Sequence, residues 1–526
     1  MSEHNVAVSG NCRRVAFALV ASLWSFAAFA QPSTSAPAET FGLAPGPYAV
    51  GFQLLADQDR SRSVTGADAK THARPIRIYV WYPARSAAKP LPFGRYAALA
   101  DDDVWPPEIT GHARELLTFS HGPLARSLDP KVLEALLRRP MLASENAKPA
   151  SGSFPLIVIG LGLYYESPIT FAALSEYLAG RGFVVVTAPL VGTSSALVRI
   201  DARDLETQVR DLEFAIARAQ QLPFVNPERL GIVGFDMGGM AGVILAMRHA
   251  GVNAFASLDS GIMYPHPSGL PQASPSYDPL ALRVPWLHAA PLRPVERPAD
   301  PSAKSLFDSA MHSNRYLLTT EGMGHVDFTS YALIDGRRAM PAYWGEPQAD
   351  AARRCGIVAE YLANFFAAFV RMDASSVAWL ARDPQAAFPG SQMTLEHRTA
   401  TPPSIGYDEL VQAIVDGKGE SAIEQLRAAD GADRAALDQT HLERLAVSLL
   451  YTWGLVKESL PLLVFTTERY PASVQARATL VDAYVLLENY TAAIEILDEF
   501  IQQYPNNPGA RARLDEVRKL QSERRK

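Results

Sequence analysis

Cysteine is nearly absent from this chain of 526 residues, which contains only Cys12 and Cys355. Cys12 precedes an apolar segment that we expect to be removed, so Cys355 then stands alone and no intrachain disulfide is predicted. A large excess of positive charge is missing too: the formal net charge is −6, and no basic block occurs. Nucleic-acid-binding domains are typically basic, so we predict no nucleic-acid partner.

The common sequence motifs for metals and phosphates are absent as well. The sequence contains no His-Glu-x-x-His, no Cys/His cluster and no EF-hand loop. The pair Gly238-Gly239 is not followed by the lysine of a phosphate-binding loop. We therefore predict neither a metal site nor a cofactor.

An apolar run near the N-terminus extends from Val15 to Ala30 and follows Arg13-Arg14. It has 16 residues, whereas a membrane-spanning helix needs about 20. The run ends in Ala28-Phe29-Ala30, a pattern typical of a secretory signal cleaved before Gln31. We predict a signal peptide over 1–30, a periplasmic or secreted location, and no membrane span after cleavage.

Short apolar strands alternate with helices over residues 45–382, after a flexible leader at 31–44. This alternation predicts an α/β fold with a mostly parallel sheet covered by helices on both faces. Residues 85–150 are rich in proline and are predicted to form an insertion or a lid. Residues 383–405 are rich in Pro, Gly and Thr, which is typical of a linker.

Residues 406–526 are predicted to be all helical and repetitive. Tyr470-Pro471 recurs as Tyr504-Pro505, 34 residues later, which is the period of tetratricopeptide repeats. Small Ala493 stands where two helices of such a repeat approach each other closely. We predict tetratricopeptide-like repeats that offer a surface to a protein partner, with an unrelated helical bundle as the alternative. Residues 407–429 are assigned to a further helical pair and Ala510 to Gln521 to a capping helix.

The most informative motif is Gly234-Phe235-Asp236-Met237-Gly238, which follows an apolar strand and precedes an apolar helix. This context is typical of a nucleophile elbow, the tight turn that lifts a catalytic side chain above a sheet. The nucleophile position holds Asp236, a carboxylate, where serine is usual.

An α/β-hydrolase site takes its nucleophile, acid and histidine in that chain order. Asp259 follows the strand after the elbow, and His325 follows a later strand within Gly324-His325-Val326. All three side chains are placed at carboxyl ends of strands, where open α/β sheets bind ligands. We predict Asp236, Asp259 and His325 as catalytic, with Asp300 and Asp308 as alternatives for the acid.

Two backbone N–H groups normally stabilise the oxyanion in such a site. One belongs to the residue after the nucleophile, here Met237. The other comes from the loop after the first buried strand, Gly160-Leu161-Gly162, whose glycines let the backbone approach a ligand. We predict the N–H groups of Met237 and Leu161 in this role.

These stretches resemble the secreted platelet-activating-factor acetylhydrolases and their dienelactone-hydrolase-like relatives. The resemblance covers about residues 40–372 and none of the tail. It includes the opening Gly46-Pro47-Tyr48, the strand entry Gly180-Arg181-Gly182, the acid loop Leu258-Asp259 with Met263-Tyr264-Pro265, and the histidine loop Gly324-His325-Val326-Asp327-Phe328. It implies ester hydrolysis by the α/β-hydrolase fold. Relatives have serine or cysteine where this chain has Asp236, and a histidine is typical where it has Ile159.

Three functions follow from an aspartate at the elbow. In the first, Asp236 attacks an sp³ carbon of an epoxide or alkyl halide. In the second, it acts as general base on water in ester hydrolysis. In the third, the chain is a catalytically inactive module that binds a ligand or a protein. A small-molecule substrate is expected in the first two. Donors to a leaving group are available in Tyr164, Tyr165, Tyr264 and Trp344.

Overall fold

The structure, a computed structural model, describes residues 43–524 apart from 87–88, 103–124, 126–127, 164–166, 267, 293–303, 335–349, 402–404, 429–436 and 438. The predicted signal peptide and nearly all of the predicted leader lie outside the described residues, so they stay predictions. Among the described helices, none is long and apolar enough to cross a membrane.

Ten strands form a single sheet. They are β1 (Ala49–Thr65), β2 (Thr71–Ala84), β3 (Ala143–Glu145), β4 (Phe154–Gly160), β5 (Val184–Thr187), β6 (Val225–Phe235), β7 (Val252–Leu258), β8 (Trp286–Pro291), β9 (Arg315–Thr320) and β10 (Met393–Arg398). Their order across the sheet is β10-β9-β8-β7-β6-β4-β5-β2-β1-β3.

The α-helices divide into those around the sheet and those of the tail. Around the sheet lie α1 (Phe93–Asp101), α2 (Pro130–Arg138), α3 (Ala172–Ala179), α4 (Ala202–Ala219), α5 (Met237–Arg248), α6 (Leu306–Ser309), α7 (Ala351–Phe369), α8 (Ala374–Leu380) and α9 (Pro384–Ala387). The tail contains α10 (Tyr407–Val415), α11 (Gly419–Ala428), α12 (Gln439–Val447), α13 (Val456–Arg469), α14 (Val474–Leu486), α15 (Tyr490–Gln503) and α16 (Pro508–Arg524).

The centre of the sheet is parallel, from β5 through β4, β6, β7 and β8 to β9. Every residue of β4 is buried, because a parallel strand is covered on both faces and needs a continuous apolar run. One hydrophobic cluster joins the sheet to α3 and α7, and another joins it to α4 and α5. The predicted α/β class is confirmed, and the arrangement is that of an α/β-hydrolase fold followed by an all-helical region.

The described part of the predicted insertion extends the edge of the sheet. Strand β3 pairs in parallel with β1, and the buried Tyr96 hydroxyl donates to Glu176 Oε1 at 2.8 Å. Tyr96 also accepts a hydrogen bond from Trp81 Nε1 at 2.8 Å. These contacts fix α1 against the first hairpin and α3. Residues 103–124 lie outside the described residues, and a lid there stays a prediction.

Much of the predicted linker 383–405 has regular structure, namely helix α9 (Pro384–Ala387) and strand β10 (Met393–Arg398). Strand β10 pairs antiparallel with β9, with Met393 opposite Thr320, and the Met393 side chain is completely buried. His397 stacks on Tyr316 with ring centroids 4.3 Å apart. This strand was not predicted because proline and glycine flank it, which is typical of a loop. Its alternation of apolar and polar residues is also short, since only one of its side chains is fully buried.

The tail is helical throughout its described length, as predicted. Helices α10 and α11 occupy the segment assigned to a further pair, and α16 includes the predicted capping helix. Two hydrophobic clusters hold the tail together, and every member lies at or beyond residue 405. Ala493 is completely buried in one of them. That these helices are tetratricopeptide repeats stays a prediction.

Candidate active site

The register of the central strands places two carboxylates side by side. Phe235 at the end of β6 pairs with Leu258 at the end of β7. The next residue on each strand is Asp236 and Asp259, so both emerge at the same edge of the sheet. The predicted placement of these two residues at carboxyl ends of neighbouring strands is what the structure shows.

Asp236 occupies the strained turn expected of a nucleophile elbow. Its backbone has φ 49° and ψ −119°, a conformation that costs on the order of 1–3 kcal/mol for a residue other than glycine. The turn is very tight, since a Cβ on Gly234 would lie 2.3 Å from the Gly238 carbonyl oxygen. The Asp236 carbonyl in turn accepts the Ser260 hydroxyl at 2.6 Å. These contacts hold the carboxylate in place above the sheet.

The Asp236 carboxylate binds the backbone groups that would form an oxyanion hole. The Leu163 N–H donates to Asp236 Oδ2 at 2.9 Å, and the Met237 N–H helps to lower the pKa of this carboxyl. Gly162 makes the approach of Leu163 possible, because a Cβ there would lie 2.6 Å from Asp236 Cβ and 3.0 Å from Asp236 Oδ2. One oxygen of the side chain is therefore already held by a main-chain donor.

The main-chain N–H that donates to Asp236 belongs to Leu163, two residues after the predicted donor Leu161. The Leu161 side chain is buried in the core, and its carbonyl accepts the Gln208 side-chain amide at 2.7 Å. This anchor turns the loop so that the Leu163 N–H, not that of Leu161, donates to the carboxylate. The sequence could not fix this offset, because loop geometry after a strand depends on tertiary contacts such as the one from Gln208.

Burial raises the pKa of the Asp236 carboxyl above its ordinary value. The neighbouring His325 and the N–H groups of Leu163 and Met237 oppose this rise by stabilising the charged form, and the negative charge of Asp259 adds to it. Phe235, which precedes Asp236 in the chain, stacks on His325, and His325 is hydrogen-bonded to Asp259. The structure therefore brings the three predicted residues into one site.

His325 and Asp259 form a hydrogen-bonded pair. The distance from His325 Nδ1 to Asp259 Oδ2 is 2.7 Å, and the Asp259 side chain is 8% exposed against 27% for His325. Phe235 stacks on the imidazole with ring centroids 4.5 Å apart and planes at 26°. When Asp259 accepts the Nδ1 proton, Nε2 carries the lone pair that a general base needs.

The loop that carries His325 is stabilised by Asp327, a residue to which the sequence patterns assigned no role. Asp327 is completely buried, and its Oδ2 accepts the Gly324 N–H at 2.8 Å. This bond caps a short 3₁₀ helix, His325–Phe328, and sets where the imidazole leaves the chain. An aspartate three residues after a glycine is the local signal for such a cap.

The alternatives from the sequence are placed elsewhere or lie outside the described residues. Asp308 accepts the Ser305 hydroxyl at 2.6 Å and pairs with Arg398, which makes it a structural carboxylate. His288 is buried against Ser257, and burial lowers its pKa to about 4. Tyr264 is half-buried in the acid loop. The remaining candidates, Asp300, Tyr164, Tyr165 and Trp344, fall in segments that the structure does not describe.

No group of three or more His, Cys, Asp or Glu side chains that could hold a metal ion occurs in the described part of the chain.

Comparison with known proteins gives a distant match to one hydrolase. The chain is 30% identical over 116 residues to carboxymethylenebutenolidase 1 of Cupriavidus pinatubonensis, which is 19% of this chain and 49% of that protein. The chain thus spans about half the length of this relative. A ferulic acid esterase structure from Streptomyces cinnamoneus matches with 22% identity and a TM-score of 0.48, over 68% of this chain and 98% of that one. No family model matches the sequence.

Proposed function

We propose that the protein is a hydrolase of the α/β-hydrolase type in which Asp236 attacks an sp³ carbon, with an epoxide or an alkyl halide as substrate. The observation that carries this proposal is the hydrogen bond of 2.9 Å from the Leu163 N–H to Asp236 Oδ2. Because Oδ2 is held there, Oδ1 is the oxygen that we assign to attack. The match to a carboxymethylenebutenolidase supports the hydrolase class.

In the first step, a lone pair on Asp236 Oδ1 forms a bond to the substrate carbon. The bond from that carbon to the halide or epoxide oxygen breaks, and its electron pair leaves with the departing atom. An alkyl ester of Asp236 results. A halide departs as the free ion, whereas an epoxide oxygen needs a proton donor, for which Tyr264 is the described candidate.

In the second step, His325 Nε2 takes a proton from water as the water oxygen attacks Cγ of Asp236. Asp259 stabilises the imidazolium that forms, through its bond of 2.7 Å to Nδ1. The oxyanion develops on Oδ2, to which the Leu163 N–H already donates. The bond from Cγ to the alkylated oxygen then breaks, and the alcohol takes the proton from His325. The new carboxyl group loses its remaining proton to solvent, which restores the carboxylate.

Ester hydrolysis is less well supported by this geometry. A carboxylate that attacked an ester would form a mixed anhydride and expel an alkoxide, which is strongly uphill. If Asp236 were instead a general base on water, the ester carbonyl would need an oxyanion hole. The Leu163 N–H of that hole is bonded to Asp236 itself, so an ester substrate would have to displace a buried carboxylate from it.

The alternative proposal is a catalytically inactive module that binds a ligand or a protein. The occupied oxyanion hole also agrees with this function, because it blocks the ester chemistry implied by the family resemblance. The helical tail would then provide the binding surface. The two proposals differ in whether Asp236 is ever alkylated.

Covalent trapping distinguishes them. In His325→Gln the first step proceeds but water is not activated, so incubation with styrene oxide or bromobutane should leave an alkyl group on the peptide that contains Asp236. Mass spectrometry of that peptide measures the adduct, and the double variant His325→Gln with Asp236→Asn is the control that should stay unlabelled. A protein unlabelled by a broad panel of epoxides and haloalkanes would favour the inactive module.

A further inference from the structure

The tail contains a groove that the hydrolase chemistry does not use. It has a volume of about 410 Å³ and lies between α14, α15 and the start of α16. This volume is within the range of about 300–1,000 Å³ that ligand sites occupy. Its apolar floor is formed by buried side chains of Val481, Leu497, Phe500 and Ala510.

An arginine lines this groove with an unused donor. Arg477 is 8% exposed, and among the described residues its Nε finds no hydrogen-bond partner. Its Nη2 donates to the neutral side chain of Gln503 at 2.9 Å, and its guanidinium lies 5.1 Å from the centre of the Phe500 ring. A buried guanidinium is costly unless its charge and its donors are satisfied.

The other charged groups of the groove are already paired. Arg513 donates to Asp482 at 2.6 Å and to Glu516, and Asp482 also accepts the Tyr451 hydroxyl. The N-terminus of α16, which carries a partial positive charge, borders the groove through Asn507 and Gly509. Among the described residues, Arg477 pairs with no carboxylate, so the groove presents a buried guanidinium beside an apolar floor.

We propose that this groove binds an extended acidic peptide segment of a partner protein. An Asp or Glu side chain of the segment pairs with Arg477, and a neighbouring apolar side chain packs on Val481 and Phe500. Arginine donates N–H groups to a carboxylate in a fixed fork, and the unpartnered Nε–H of Arg477 is available for such a bond. The exposed rim residue Val474 completes the apolar contact at the entrance. This proposal is independent of the chemistry at Asp236.

The test uses the full chain and a random pool of octapeptides that are acetylated and amidated, so that side chains carry the only carboxylates. We expect peptides retained by the immobilised protein to be enriched in Asp or Glu beside an aliphatic or aromatic residue. The variant Arg477→Met should lose this enrichment. Arg518→Met is the matched control, since Arg518 pairs with Asp498 at the surface and does not line the groove; it should retain the enrichment.

A second pair of variants, at an exposed position, tests the proposal even if Arg477→Met fails to fold. Val474 is exposed at the first position of α14, so either charge is tolerated there. Val474→Glu should weaken binding of a selected fluorescein-labelled peptide about tenfold or more by like-charge repulsion, and Val474→Lys should not weaken it. Fluorescence anisotropy measures both.

Three results would overturn the proposal. One is a retained pool with no acidic enrichment, and another is the same enrichment with Arg477→Met. The third is selection only from a parallel pool with free C-terminal carboxylates, which would assign the groove to chain ends instead of acidic side chains. Failure here leaves trapping at Asp236 unaffected, and the absence of trapping leaves this test unaffected.

Discussion

The side chain at position 236 decides which reactions the site can perform. Its carboxylate bonds to the Leu163 N–H at 2.9 Å and is buried beside His325. A serine hydroxyl would leave the main-chain donors to a substrate oxyanion, whereas the carboxylate uses them itself. In the proposed mechanism, these donors serve the hydrolysis of an alkyl-enzyme ester, in which the oxyanion forms on Asp236.

The buried charge of Asp236 predicts a dependence of stability on pH. Its pKa is raised above the ordinary 3.8, so the folded state binds this proton more tightly than the unfolded state does. Stability is therefore lost as the pH rises from 3.8 through the raised pKa. Asp236→Asn keeps the shape without the charge, and it should raise the unfolding temperature at neutral pH with a gain that disappears on acidification.

Asp308→Asn is the control, because the pKa of Asp308 is shifted in the opposite direction from that of Asp236. The hydrogen bond from Ser305 lowers the pKa of Asp308, so its charge stabilises the folded state above the ordinary pKa and that contribution disappears as the pH falls. This variant should lower the unfolding temperature at neutral pH and match the native chain in acid. Equal behaviour of the two variants in thermal unfolding from about pH 4 to about pH 8 would contradict the burial of a charge at Asp236.

The close approach of Gly162 to Asp236 predicts that a larger residue at position 162 will reduce turnover. In Gly162→Ala the new Cβ would lie 2.6 Å from Asp236 Cβ, so the loop must shift and the bond from Leu163 to Oδ2 must break. Turnover of the probe that labels Asp236 should fall about a hundredfold, the usual effect of losing one oxyanion donor. Gly406→Ala is the control, since a Cβ there meets nothing closer than 3.9 Å. Unchanged turnover in Gly162→Ala would show that these donors do not act in the reaction.

At the scale of elements, the carboxyl ends of β6, β7 and β9 bring the site together, and β10 closes the sheet beyond them. Met393 of β10 is completely buried in the core that α7 shares. Met393→Ala should therefore destabilise the protein by about 2–5 kcal/mol, measured by denaturant unfolding. Thr394→Ala, on the exposed side of the same strand, should change stability little. Equal small effects would mean that residues 393–398 behave as a linker.

The elements around the site were predictable because their patterns are strong. The all-apolar strand at 154–160, the glycines of the elbow and the histidine loop each carry a local signal. The donor at Leu163 and the edge strand β10 were not predictable. Their positions depend on contacts with residues distant in the chain, such as Gln208 with Leu161 and Tyr316 with His397, and no local pattern encodes these.

At the scale of the whole molecule, the chain contains separate hydrophobic cores. The two clusters of the sheet include no member beyond residue 395, and the two clusters of the tail include none before residue 405. This separation matches the predicted change from hydrolase to helical region. Asp236 follows a strand of the sheet and Arg477 lies on a helix of the tail, so the two sets of variants alter different parts of the chain.

The proposed mechanism requires Asp236 to form and lose an ester during each turnover. A single turnover of the native full chain in water enriched in the heavy oxygen isotope tests this, with styrene oxide or bromobutane as probe. We predict that the peptide containing Asp236 gains one heavy oxygen and that the first product molecule contains none, because water attacks Cγ of Asp236. Heavy oxygen in the product and none on Asp236 would contradict this mechanism.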